Sequence, residues 1–162
     1  MTYDEFTDKF KKQVTAISYE RQLNFAIEIC LRLLPEYKSF NERSKFGNFE
    51  TLQKAIETLK RSTPISENEL KNMISEIDKM IPNIDDYSDG SYALNASASV
   101  YEALQFVRNK NPEHIFNIGT LITDTVDFKI QENQDLTEEE IEKHLSVIEV
   151  RNFLLKETEP KT

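Results

Sequence analysis

Between Ala93 and Ala103 the chain reads ALNASASVYEA, placing Ala93, Ala96, Ser97, Ala98, Ser99 and Ala103 on several sides of one predicted helix. Small side chains on more than one face let neighbouring helices approach closely from different directions, because interaxial distance is set by the side chains at the contact. Such a helix belongs in the middle of a bundle. Its hydroxyls are expected to bond carbonyls one turn back or to bridge to neighbours.

The rest of the chain agrees with a helical bundle. Apolar residues recur at the 3.6-residue period almost throughout, with no segment that alternates like a strand and no internal repeat. The chain has 162 residues, three glycines and five prolines, and 38% hydrophobic residues, which suits one helix-leaning domain with a single core. We therefore expect an all-α, single-domain bundle of about seven helices over residues 1–157, followed by a frayed C-terminal tail at 158–162.

The first helix carries Phe6, Phe10, Val14 and Ile17, with Thr2 and Glu5 spaced as a capping box. A second, from about Ser18 to Leu34, is expected to turn Leu23, Ala26, Ile27, Cys30, Leu31 and Leu34 inward. Pro35 should end it, since proline removes a backbone donor and crowds the preceding turn. A short piece containing Tyr37, Phe40 and Phe46 then runs to a left-handed cap at Gly47. Asn48 caps a third helix, with Leu52, Ala55, Ile56 and Leu59 inward. Ser66 and Glu69 repeat the capping-box spacing before a fourth helix, which Pro82 closes. The fifth spans about Asp89 to Asn109. Asn111-Pro112 starts the sixth, with Ile115, Ile118, Ile122, Val126 and Ile130 in line. The seventh opens at Thr137 and runs through Ile141, Leu145, Ile148 and Phe153.

Composition also excludes functions. Twenty basic against twenty-nine acidic residues leave a net charge of −9, which repels phosphate backbones and anionic membrane surfaces. No nucleic acid or membrane is expected as a partner, whereas a basic protein is compatible. No apolar run is long enough to span a bilayer, and the start MTYDEFTDKF lacks a signal-peptide layout. Cys30, the lone cysteine, has no disulfide partner and lies in an apolar stripe. We expect a soluble cytoplasmic protein.

The acidic loop Asp85, Asp86 and Asp89, flanked by Tyr87 and Tyr92, has the oxygen chemistry of a hard-cation or small-ligand site. An EF-hand reading fails, because Tyr87 would fill the third position and Ala96 the twelfth. Turn and cap chemistry explains the loop more simply. On the sixth helix Thr120, Thr123, Asp124 and Asp127 share a face, and the last two could act as a carboxylate pair in a desolvating pocket. Convergence of all five aspartates would itself argue for a cation. His114 and His144 have no zinc-type spacing, and Gly47, Gly90 and Gly119 build no phosphate cradle. No catalytic residues, metal ligands or cofactor are assigned.

Three blocks taken together resemble one bacterial family: NFAIEICLRLLPEYKSF with the nearby KFGN, MIPNIDDYSDGSYALNASASVYEAL, and the sixth helix with ITDTV. The most diagnostic pieces are Leu34-Pro35 with Tyr37 and Phe40, Phe46-Gly47, and the loop from Ile81-Pro82 to Asp86. Their order and spacing resemble the YjaG-like family (domain-of-unknown-function family 416) over roughly Gln22 to Glu149. The resemblance implies an all-helical bacterial cytoplasmic protein and brings no activity with it. From sequence, the favoured function is a non-enzymatic module that binds a protein partner or a second copy of itself through a helical face. The alternatives are a cation-dependent enzyme or small-ligand binder using the five aspartates, and an acidic immunity-type protein that neutralises a basic partner.

Overall fold

A computed structural model describes residues 1–161 as α-helices joined by short connections, with no strand among the described residues. The helices are α1 (Tyr3–Ala16), α2 (Tyr19–Ser44), α3 (Phe49–Leu59), α4 (Glu67–Asp78), α5 (Gly90–Asn109), α6 (Glu113–Asn133), α7 (Glu138–Glu142) and α8 (Leu145–Glu157). A single 3-10 turn, Ile84–Asp86, precedes α5.

Helix α5 is the centre of the molecule, packing against α2, α3, α4 and α6. Ala93, Ser97, Ser99, Val100, Ala103 and Leu104 are completely buried there. Its polar groups are satisfied close at hand. Ser97 Oγ donates to the Ala93 carbonyl at 2.8 Å, Ser99 Oγ to that of Ala96 at 2.7 Å, and Asn95 Nδ2 to Thr125 Oγ1 on α6 at 3.0 Å. Bonded in this way, buried hydroxyls and amides carry no desolvation penalty large enough to disturb the core.

Local signals set most helix starts. Thr2 and Glu5 form the expected capping box, with the Thr2 amide donating to Glu5 Oε2 at 2.7 Å. Asn48 caps α3 as expected. Asn111 sits one position outside the start of α6, yet its Oδ1 accepts from the Glu113 amide at 3.0 Å. At α4 the expected box is only half made. Ser66 accepts from the Glu69 amide, but the Glu69 carboxylate is taken by Arg61 at 2.8 and 3.1 Å.

Pro35 does not end α2, which continues to Ser44. Pro35 is exposed, as is Leu31 (39%) one turn back, so the carbonyl that loses its donor lies on the solvent side, where water can replace it. The buried face of α2 is also rotated from the expected stripe. Phe25, Ala26, Ile29, Cys30, Leu33, Tyr37 and Phe40 point inward, while Leu31 points out. The helix terminates at Lys45, in the left-handed region at φ 62°, two residues before the expected Gly47. Gly47 is itself left-handed at φ +76° and serves a packing need: a Cβ there would lie 1.8 Å from the Tyr37 hydroxyl. That hydroxyl donates to the Met80 carbonyl at 2.9 Å and ties α2 to the end of α4.

The fourth helix stops at Asp78, short of Pro82. The expected seventh helix is two helices. His144 adopts extended backbone (φ −67°, ψ 134°) and caps α8, accepting the Ser146 amide on Nδ1 at 3.2 Å. Leu145 and Ile148, expected in the core stripe, are consequently 66% and 42% exposed. Thr158, placed by the sequence in the tail, is fully buried and donates to the Leu154 carbonyl at 2.8 Å.

Candidate functional site

The acidic loop and the α6 aspartates lie on different parts of the surface. Asp85 and Asp86 are exposed in the 3-10 turn, where Asn83 Oδ1 accepts the Asp85 amide at 3.0 Å. Asp89 stands at the N-cap of α5 without a side-chain cap bond and pairs instead with Arg43 of α2. Tyr87 packs edge-on against Phe40, with ring centres 5.0 Å apart. Tyr92 donates to Glu132 at 2.7 Å, and its hydroxyl is pushed up to about 12, first by burial and then by that carboxylate. Asp86, Tyr87, Asp89 and Tyr92, but not Asp85, line an open polar groove of about 770 Å³ between α2, the loop and the end of α6, together with a Lys129–Glu36 ion pair.

Asp124 and Asp127 instead face the α8 side. Both are half-buried, and burial raises each carboxyl above the ordinary carboxylate range. For Asp127 the nearby Arg151 guanidinium opposes that rise, while Asp124 and Glu142 add to it. Among the described residues no group of three or more His, Cys, Asp or Glu side chains is placed to hold a metal ion. The five aspartates do not form one cluster.

The residue that sequence reasoning missed is Arg151. Only 7% exposed, it donates to both oxygens of Glu142 at 2.6 and 3.1 Å. Its guanidinium carbon lies 5.7 Å from the Tyr3 ring centre and 5.5 Å from that of Phe6. Charge-assisted, two-pronged bonds of this kind are stronger and more directional than neutral ones. They hold the Glu142 carboxyl below its ordinary range. A signal for Arg151 existed, since it falls in line with Val147, Leu154 and Leu155 at i+4, i+7 and i+8 spacing, where a cation needs a partner.

Beside this pair lies a second groove of about 660 Å³, lined by Met1, Thr2, Glu139, Glu142, Lys143, Ile148, Arg151 and Asn152. Met1 is 64% exposed at its edge. Leu145 lies three residues before Ile148 on the same face of α8, which extends the apolar surface. Acidic residues crowd the first turns of the two helices that flank the groove: Asp4 and Glu5 on α1, and Glu138, Glu139 and Glu140 on α7. Cys30 is buried, and its thiol is pushed up to about 12, leaving it a small core side chain without nucleophilic character.

These features define the class as an all-α bundle whose interior is satisfied and whose α1–α7–α8 end carries exposed apolar and acidic groups. Residues 9–158 match the family model described as "Protein of unknown function (DUF416)", and the chain belongs to that family. It is similar to the crystal structure of a DUF416 family protein from Shewanella baltica OS155, with 26% identity and a TM-score of 0.80 over 93% of this chain and 84% of that one. No curated protein matches the chain. No helix among the described residues is long and apolar enough to cross a membrane.

Proposed function

We propose that the protein is a binding module whose α1–α7–α8 groove receives a basic, amphipathic segment of a partner protein. One observation carries this reading: an apolar hollow edged by Met1 and Ile148 sits between two acidic helix starts. Exposed apolar surface with a polar rim is the usual mark of an interaction site. An amphipathic helix laid in such a groove would bury its apolar face while its cations meet Asp4 and Glu138 at the rim, since Glu139 and Glu142 are already paired with Lys143 and Arg151. The net charge of −9 favours a basic occupant over a second acidic copy of this chain. A protein that neutralises a basic partner falls within the same reading. We assign it to the bacterial cytoplasm, in keeping with the lone buried Cys30 and the Shewanella relative.

The test is an amide chemical-shift titration with designed helical peptides, leucine on one face and lysine on the other, against matched peptides carrying glutamate. Saturable shifts at residues 1–3, 139–143 and 148–152 with the lysine peptides alone are expected, and Ile148→Asp should weaken binding about tenfold or more. Shifts centred elsewhere, or equal binding of the glutamate peptides, would overturn the reading.

A further inference from the structure

We propose that a cleft between the end of α6 and the start of α8 binds a small organic carboxylate with an apolar body, its charged end held by Lys129 and His144. The proposal stands apart from the docking groove. Ser146 lines this cleft and Ile148 lines the groove, and residues two apart on a helix look to different sides.

The cleft has a volume of about 360 Å³, within the range of small-molecule sites. Val126 and Ile130 of α6 give it an apolar wall. Its polar wall includes Lys129, Asn133, His144 and Ser146, and among the described residues no carboxylate lines it. That is a local departure for a chain with twenty-nine acidic residues against twenty basic. His144 narrows the chemistry further. Its Nδ1 accepts the Ser146 amide at 3.2 Å, so the ring hydrogen sits on Nε2, which can then only donate. The Lys129 ammonium is likewise a donor with no acceptor capacity. A cation entering the cleft would meet an ammonium and a ring N–H. A carboxylate would meet two donors, one of them charged, and charge-assisted bonds are the stronger kind.

Lys129 stands between two hollows. It lines the cleft and also the polar groove beside it, where it pairs with Glu36 of α2 and lies 5.7 Å from the Tyr92 ring centre. Its side chain is 51% exposed, and exposed pairs of this kind are weak, so a ligand carboxylate can compete with Glu36 for the ammonium. The net charge of −9 opposes an anion at long range, but salt screens that field beyond about 10 Å and leaves contacts inside the cleft to decide.

The test is an amide chemical-shift titration of the intact chain with hexanoate, against hexanamide and hexylamine as neutral and cationic matches. Saturable shifts within residues 126–134 and 144–146 are expected with hexanoate alone. Acetate, which lacks the apolar body, should bind about tenfold more weakly or worse. Lys129→Met should weaken hexanoate about tenfold. Glu36→Gln frees the ammonium and should strengthen binding about threefold, the scale of an exposed ion pair. His144→Asn keeps a good cap on α8 but removes the Nε2 donor, so it should weaken binding about fivefold with the melting temperature unchanged. Equal shifts with hexanamide, shifts centred elsewhere, or no saturable shift would overturn the site. So would hexanoate binding that neither Lys129→Met nor His144→Asn weakens, or that Glu36→Gln leaves unimproved. The probes and the reporting residues differ from those of the peptide titration, so the two readings stand or fall separately.

Discussion

Helices α5 and α8 both carry polar residues among apolar ones, and the contrast between them separates architecture from function in this fold. On α5 the polar groups are short and buried, bonded to carbonyls one turn away or, for Asn95, to Thr125 of the closely packed α6, so the helix is closed to solvent. On α8 the polar group is a long cation whose partner belongs to a loosely packed helix, and two apolar residues of the same helix face water. A side chain whose partner lies within its own helix keeps that partner through any motion of the bundle. One whose partner lies on another element can lose it.

The sharpest way to break this comparison is to truncate the same side chain in both places. Leu104→Ala, at a fully buried position on α5, should lower unfolding stability by about 2–5 kcal/mol. Leu145→Ala, at 66% exposure on α8, should stay within about 0.5 kcal/mol. Urea denaturation of both variants measures the difference. A large loss at Leu145 would mean that this surface is covered in solution, which would move the interaction face from α8's hollow to its apolar edge.

The two regions also differed in how far sequence could reach them. The stripe on α5 is local information: alanine and serine spacing specifies close packing wherever the neighbours come from. The interruption by Pro35 was misread because its cost depends on which way the orphaned carbonyl faces, a property of the tertiary fold. The break between α7 and α8 was hidden because Ile141, Leu145 and Ile148 continue a helical spacing across His144. That stripe promised burial to two residues that the bundle leaves outside. At the candidate sites, residue type suggested the five aspartates, but convergence is set by helix packing, which sends Asp89 to Arg43 and Asp127 toward Arg151. Arg151 was the legible clue, as a cation in an apolar line.

A smaller effect sharpens the same contrast through pH. Asp124 and Asp127 have carboxyls raised by burial, so between the unfolded and folded values the native state binds more protons, and stability falls as pH rises through that window. Glu142 is held low by Arg151. Its contribution is present above the ordinary glutamate range and lost as pH falls through the folded value. Asp124→Asn should therefore raise the melting temperature slightly at neutral pH, with the gain shrinking to nothing in the acid range. Glu142→Gln should lower it at neutral pH and converge with wild type in acid. Thermal unfolding followed across this range gives both curves, and parallel curves for the two variants would sink the assignment of opposite roles.

The smallest expected effect concerns cations. A specific site stabilises the folded state in proportion to its occupancy, so millimolar Mg²⁺, Mn²⁺ or Ca²⁺ would raise the melting temperature if the aspartates formed one. Asp89 is already engaged by Arg43, Asp85 and Asp86 are open to water, and Asp124 with Asp127 supplies only two half-buried carboxylates on another face. Two carboxylates without a third ligand from the protein make a weak site for any of these ions. No specific rise is expected beyond the general effect of ionic strength, which a matched monovalent salt controls for. A rise that Asp124→Asn abolishes and Asp86→Asn leaves intact would give the α6 pair a chemistry of its own.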